Sequence, residues 1–118
     1  MRGFVLLAAL VVVAPPALAQ SVAKPPQFGV CGSCHSVTKD GPAGIGPNLW
    51  GLAGHKAGTG KFAFSPAMQA SKIVWNHDTL TAYIMAPKQV IPGSMMPYAG
   101  QKDPAAAAAI ADYLLSLK

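Results

Sequence analysis

The stretch VCGSCHSV places Cys31, Cys34 and His35 in a C-x-x-C-H run, and its two cysteines are the only ones in the chain. That run reads as a covalent attachment point for a c-type haem. Two sulfurs about one helical turn apart can reach the two vinyl groups on one side of a porphyrin, and the imidazole that follows can swing under the iron. Gly32 and Ser33 are small, which lets the backbone lie close to the macrocycle edge. Two other chemistries use the same atoms. A thiol–disulfide pair also takes C-x-x-C, but it calls for a βαβ scaffold that the chain does not supply. A structural zinc needs four ligands, and after Cys31, Cys34 and His35 only His55 and His77 are left to complete the set. The motif does not by itself name a sixth iron ligand. A second stretch, IPGSMMPYAG from Ile91 to Gly100, puts Met95 and Met96 between two prolines, and methionine sulfur is a soft donor suited to that place.

The elements that must position these residues are short. Asp103 followed by Pro104 is an N-cap with proline at the first helical position, and Ile110, Tyr113, Leu114 and Leu117 recur on one face, predicting a helix from about Pro104 to Leu117. Asn76 caps a second helix that carries Leu80, Tyr83 and Ile84 and stops at Pro87. Ser65 and Pro66 open a third, running to about Ile73. The segment from Pro25 to Val37 is helical after its proline pair. From Gly41 to Gly60 glycine and proline are so dense that no period survives, and the span reads as loop. No segment has the length and alternation of a strand. The expected fold is therefore all-α, a small domain whose long loops are ordered around something bulky, because glycine-rich loops lose much entropy on ordering.

Met1 to Ala19 has the layout of a secretory signal peptide: Arg2, an apolar run from Phe4 to Ala14, then Ala17-Leu18-Ala19 before Gln20. The apolar run is shorter than the roughly 20 residues that span a bilayer, so cleavage after Ala19 is expected, leaving residues 20–118 as one exported domain with no membrane insertion. That domain would carry eight lysines and four aspartates and no arginine. Without arginine, bidentate reading of bases or phosphates is poorly supplied, and nucleic acid is not an expected partner.

Beyond the C-x-x-C-H run, the segments GPNLWGLAGHKAG (Gly46 to Gly58), FAFSPAM (Phe62 to Met68), Trp75, LTAYIMAPKQVIPGSMMPYAG (Leu80 to Gly100) and the closing IADYLLSLK together resemble the class I c-type cytochromes, of the small soluble kind related to mitochondrial cytochrome c. The resemblance implies helices wrapped around one haem c per chain, attached through Cys31 and Cys34, with His35 and Met96 as axial ligands. It places the carbonyl of Pro47 against the Nδ1–H of His35, the indole of Trp75 at a haem propionate and Tyr83 near the methionine sulfur. The family's activity is one-electron transfer between membrane-associated redox enzymes. It follows that this chain is expected to be no enzyme but a monomeric periplasmic carrier in a respiratory chain. Lys39, Lys88 and Lys102 would steer it to the acidic surface of a membrane-bound oxidase or reductase. A haem enzyme or gas-binding protein with an open sixth position is the alternative.

Departures from the family pattern carry expectations of their own. His55 stands where an arginine usually faces the propionates, and Phe64 where a tyrosine often stands. His77 has no matched role and is expected on the surface. The prolines at 25 and 26 should delay the first helix and leave Phe28 as the large side chain that packs on Tyr113 or Leu114.

Overall fold

The computed structural model describes residues 8–14 and 22–118. The expected signal peptide and its cleavage site therefore lie largely outside the described residues, and residues 8–14 are exposed and without regular structure. Among the described residues no helix is long and apolar enough to cross a membrane.

A 3₁₀ turn over Pro26–Phe28 runs directly into a single helical turn, α1 (Gly29–Gly32). Pro25 and Pro26 suit an extended entry and a first helical position, which explains why helix starts there and not earlier. After α1 the chain still closes one more turn, because the amides of Cys34 and His35 both donate to the Cys31 carbonyl, at 3.1 and 3.0 Å.

Three further helices begin at the caps their sequences announce. In α2 (Pro66–Ala70) Ser65 Oγ accepts from Met68 N at 3.1 Å. In α3 (His77–Met85) Asn76 Oδ1 accepts from Thr79 N while Thr79 Oγ1 accepts from Asn76 N, both at 2.9 Å, so two otherwise orphaned amides are satisfied reciprocally. After α4 (Pro87–Val90), α5 (Pro104–Ser116) starts with Asp103 Oδ1 accepting from Ala105 N at 3.0 Å. The helix expected from Pro25 to Val37 ends at Gly32, with a turn and then irregular backbone in its place up to Val37, and two further points differ from the sequence expectation. Helix α2 stops at Ala70 rather than near Ile73, because the chain turns extended at Ser71 and pairs with the loop at Lys56. Ala57 N donates to Ile73 O at 2.8 Å, Trp75 N to His55 O at 3.0 Å, and Lys56 and Val74 form an isolated antiparallel bridge. Pro87 does end α3, but it also serves as the first residue of α4, a use of proline that stop-signal reasoning overlooks.

The core lies where α5 packs across α3 and the N-terminal turn. Phe28 meets Tyr113 edge to face at 5.2 Å between ring centroids. Ile110, Leu80, Ile84 and Leu114 fill the space between them, all buried. His77 lies on the surface, as expected, and its Nδ1 sits 2.9 Å from Asp112 Oδ1, tying the start of α3 to α5. The span from Gly41 to Gly60 has no helix. It is held by Asn48, whose side-chain amide donates to the carbonyls of Thr38 and Gly41 and whose Oδ1 accepts from Trp50 N. Gly51, Gly54, Gly58 and Gly60 supply its positive-φ turns.

Candidate functional site

Packing this small core leaves a cavity of about 820 Å³. It opens between α1, the glycine-rich loop, α3, α5 and the segment following α4, and its lining is mostly apolar. Cys31, Cys34, His35, Pro47, Trp75, Tyr83 and Met96 all line it, so every site residue expected from the sequence is brought to one place. A chain that has folded around a space this large has done so for a bulky apolar guest. Among the described residues no cluster of three or more histidine, cysteine or acidic side chains could hold a bare metal ion, which leaves the zinc alternative without a ligand set.

The two cysteines are unpaired and half-buried. Burial pushes the Cys31 thiol up from its ordinary value, with its own backbone hydrogen bond only partly opposing this. A disulfide-exchange cysteine needs the opposite displacement, toward thiolate. Both sulfurs instead stand at the wall of an apolar space, as thioether attachment of a porphyrin requires.

His35 is held from outside the cavity. Its Nδ1 lies 2.7 Å from the Pro47 carbonyl. A carbonyl can only accept, so Nδ1 carries the proton and Nε2 is left as a free donor atom for a metal. Gly46 makes this possible. A Cβ there would stand 2.5 Å from Cε1 and 2.7 Å from Nδ1 of the imidazole, and the Gly46 amide is itself fixed by the Cys34 carbonyl at 2.9 Å. Gly46→Ala should therefore push the ring off the Pro47 carbonyl. We expect a loss of about 1–3 kcal/mol in denaturant unfolding, together with a changed haem absorption spectrum; unchanged values of both would show that the loop yields freely.

Trp75 and Tyr83 are buried and lie against each other, 5.3 Å between ring centroids. The Tyr83 hydroxyl is 2.7 Å from Ser94 Oγ, a buried contact. Burial raises the Tyr83 phenol and the Ser94 hydrogen bond only partly offsets it, so the hydroxyl stays protonated. Ser94 was not singled out from the sequence, although it stands two residues before Met96 in a proline-glycine turn; its partner lies 11 positions away on α3 and leaves no local signal. Met96 is half-buried and packs on the core, whereas Met95 is 68% exposed. The neighbouring Tyr98 also lines the cavity, as Cys31 does, and burial raises its phenol from the ordinary value. His55 also lines the cavity, from its exposed side, and Phe64 lines it too.

Residues 27–118 match the family model described as Cytochrome c. The chain is 50% identical over 94 residues to cytochrome c2 iso-2 of Magnetospirillum fulvum, covering 79% of this chain and 97% of that one. It is 45% identical over 95 residues to the cytochrome c2 iso-2 of Magnetospirillum molischianum, with coverages of 80% and 97%. Among solved structures it resembles cytochrome cH from Methylobacterium extorquens, at a TM-score of 0.68 and 37% identity, covering 74% of this chain and 88% of that one.

Proposed function

The chain belongs to the cytochrome c family, and on that premise we propose that it is a periplasmic carrier of single electrons with His35 and Met96 as its axial ligands, working between membrane-bound redox complexes. Its cofactor is one haem c, bound through Cys31 and Cys34, which supplies the ferric–ferrous couple. The observation that carries the reading is the convergence of a carbonyl-anchored imidazole and a half-buried thioether on one apolar cavity.

Each residue then has a task. Cys31 and Cys34 fix the position of the group along one edge. Pro47 holds His35 in one tautomer and makes it a better donor. Met96 supplies a soft sulfur that favours the reduced state and raises the potential. Tyr83, through Ser94, braces the turn that presents Met96. Trp75 lines the cavity, where its indole N–H would serve a propionate, and His55 stands at the rim where the family more often has a fixed cation. The apolar lining excludes water, which disfavours the more highly charged oxidised state. With both axial places taken by protein, no position is left for a substrate, and the chain is not an enzyme. Residues 1–19 act as a signal peptide, and export agrees with covalent attachment outside the cytoplasm.

Partner choice follows from charge. Lys88 and Lys102 line a cleft beside the cavity, and Tyr98 lines both. They present positive charge near the site, and Lys39, four residues after His35, is exposed as well; such charge speeds encounter with an acidic face while letting the carrier leave again. Second-order electron transfer to a membrane oxidase or reductase should fall by about tenfold or more between low and physiological ionic strength. Lys88→Gln with Lys102→Gln should flatten that dependence. A rate indifferent to salt would remove steering by this face.

A further inference from the structure

The carbonyl that anchors His35 belongs to Pro47, a residue with no amide N–H of its own to hold it in place. Its neighbours supply part of the hold. Segments 34–36 and 46–49 lie side by side, with the Gly46 amide donating to the Cys34 carbonyl at 2.9 Å and the Leu49 amide to the Ser36 carbonyl at 2.8 Å. The His35–Pro47 bond of 2.7 Å lies between these two rungs. Residues 38–50 contain no helix or strand that would stiffen the loop further. The half-buried Asn48 side chain closes its far end. Its amide group donates to the Thr38 carbonyl at 2.7 Å and to the Gly41 carbonyl at 3.0 Å, and its Oδ1 accepts from the Trp50 amide at 3.0 Å. Carbonyls only accept and a backbone N–H only donates, so these partners fix which way the side-chain amide points. The fit is tight, since a Cβ on Gly41 would stand 3.3 Å from Asn48 Nδ2. Aspartate has the same shape but no donors, and glutamine carries the donors on a longer stem.

Building on the reading of His35 as the nitrogen ligand of the haem iron, we propose that Asn48 is a positioning residue for electron transfer, which holds the Pro47 carbonyl on His35 Nδ1 and thereby sets the reduction potential. The link between the two is covalent. The Pro47 carbonyl lies in the planar peptide unit that ends at the Asn48 Cα, so a side chain anchored by three hydrogen bonds fixes the direction of that carbonyl as well. A carbonyl close to Nδ1–H makes the ring a better donor at Nε2. A stronger nitrogen donor favours the more highly charged ferric state. The potential is then held down from the histidine side while the methionine sulfur holds it up from the other. Releasing Asn48 lets the carbonyl drift, weakens the donor and raises the potential.

The test uses the holoprotein with isotope-labelled histidine. Two quantities are measured: exchange of His35 Nδ1–H into deuterated water, by NMR of the ferrous form, and the midpoint potential. In the wild type the proton should exchange slowly. Asn48→Ala should speed exchange by about tenfold and raise the ratio of reduced to oxidised protein at a fixed ambient potential by about three- to tenfold, tenfold being about 59 mV for one electron. Asn48→Ser, whose hydroxyl can still accept from the Trp50 amide, should move both quantities the same way by a smaller factor. Asn76→Ala removes the cap of α3 at a comparable cost in stability and should move neither. The proposal is overturned if both Asn48 variants keep wild-type exchange and potential, which would leave the loop to its backbone bonds alone. It is overturned equally if exchange quickens at an unchanged potential, or if Asn76→Ala shifts both quantities as far, which would reduce the effect to general loosening. Should Asn48→Ala fail to fold with its haem, Asn48→Ser decides the matter by the same criteria. The underlying reading fails in a different way: a wild-type protein with no reversible one-electron reduction removes the carrier, and this proposal with it.

Discussion

Replacing both Cys31 and Cys34 with alanine should leave the exported chain unfolded, with no cooperative transition in either heat or denaturant. The reason is the size of what the haem fills. An apolar space of about 820 Å³, at about 24 cal/mol per Å³ of retained cavity, would cost on the order of 20 kcal/mol if it kept its shape. A whole domain is held together by only about 5–15 kcal/mol. The remaining core cannot carry that load: α1 and α4 are four residues each and α2 is five, so among the described residues α3 and α5 are the only helices with more than two turns. Circular dichroism of the double variant checks this directly, and native helix content with a sharp transition would mean that the chain folds independently of its cofactor. The single variants separate the two sulfurs. Each should retain haem through the other and fold with reduced stability, because half of the covalent constraint remains.

The second large effect belongs to the methionine pair. Met96→Ala should abolish the weak far-red band of sulfur-ligated ferric haem and lower the midpoint potential strongly, since the oxidised state is no longer disfavoured by a soft donor. Met95→Leu should leave both nearly unchanged, because Met95 is an exposed apolar residue whose replacement is of similar shape and volume. Pro97 supports this choice of register by keeping Met96 out of the helical region, and Ser94, held by Tyr83, sets where the turn begins. If the two substitutions give the reverse outcome, the ligand moves to Met95 and the register taken from the family resemblance is off by one residue.

How much of this could be read in advance depended on the range of the interaction concerned. Ser65, Asn76 and Asp103 were legible as helix caps because a cap bonds an amide two or three residues away. The covalent site was legible because the chemistry of attachment demands five consecutive positions. The packing of Phe28 on Tyr113 was anticipated because few large side chains were left near the N-terminus to meet α5. Helix α2 was drawn too long because its end is set by pairing of residues 73–75 with the loop near His55. Helix α4 was missed because Pro87 was given one meaning when it has two. Asn48 and Ser94 escaped notice for a related reason: each acts through a partner brought near by the fold, and an isolated polar residue in a loop carries no mark of that. The choice between Met95 and Met96 was beyond local chemistry altogether and came from the resemblance.

On the proposed ligation, protein side chains fill both axial positions of the haem and leave none for a ligand from solution. It is tested most directly by adding carbon monoxide to the dithionite-reduced holoprotein at neutral pH and recording the visible spectrum. The spectrum should be unchanged by the gas, with His35 and Met96 retaining their places. Formation of a carbon monoxide adduct at low gas concentration would contradict it, and would turn this chain from a carrier into a haem protein with an open site.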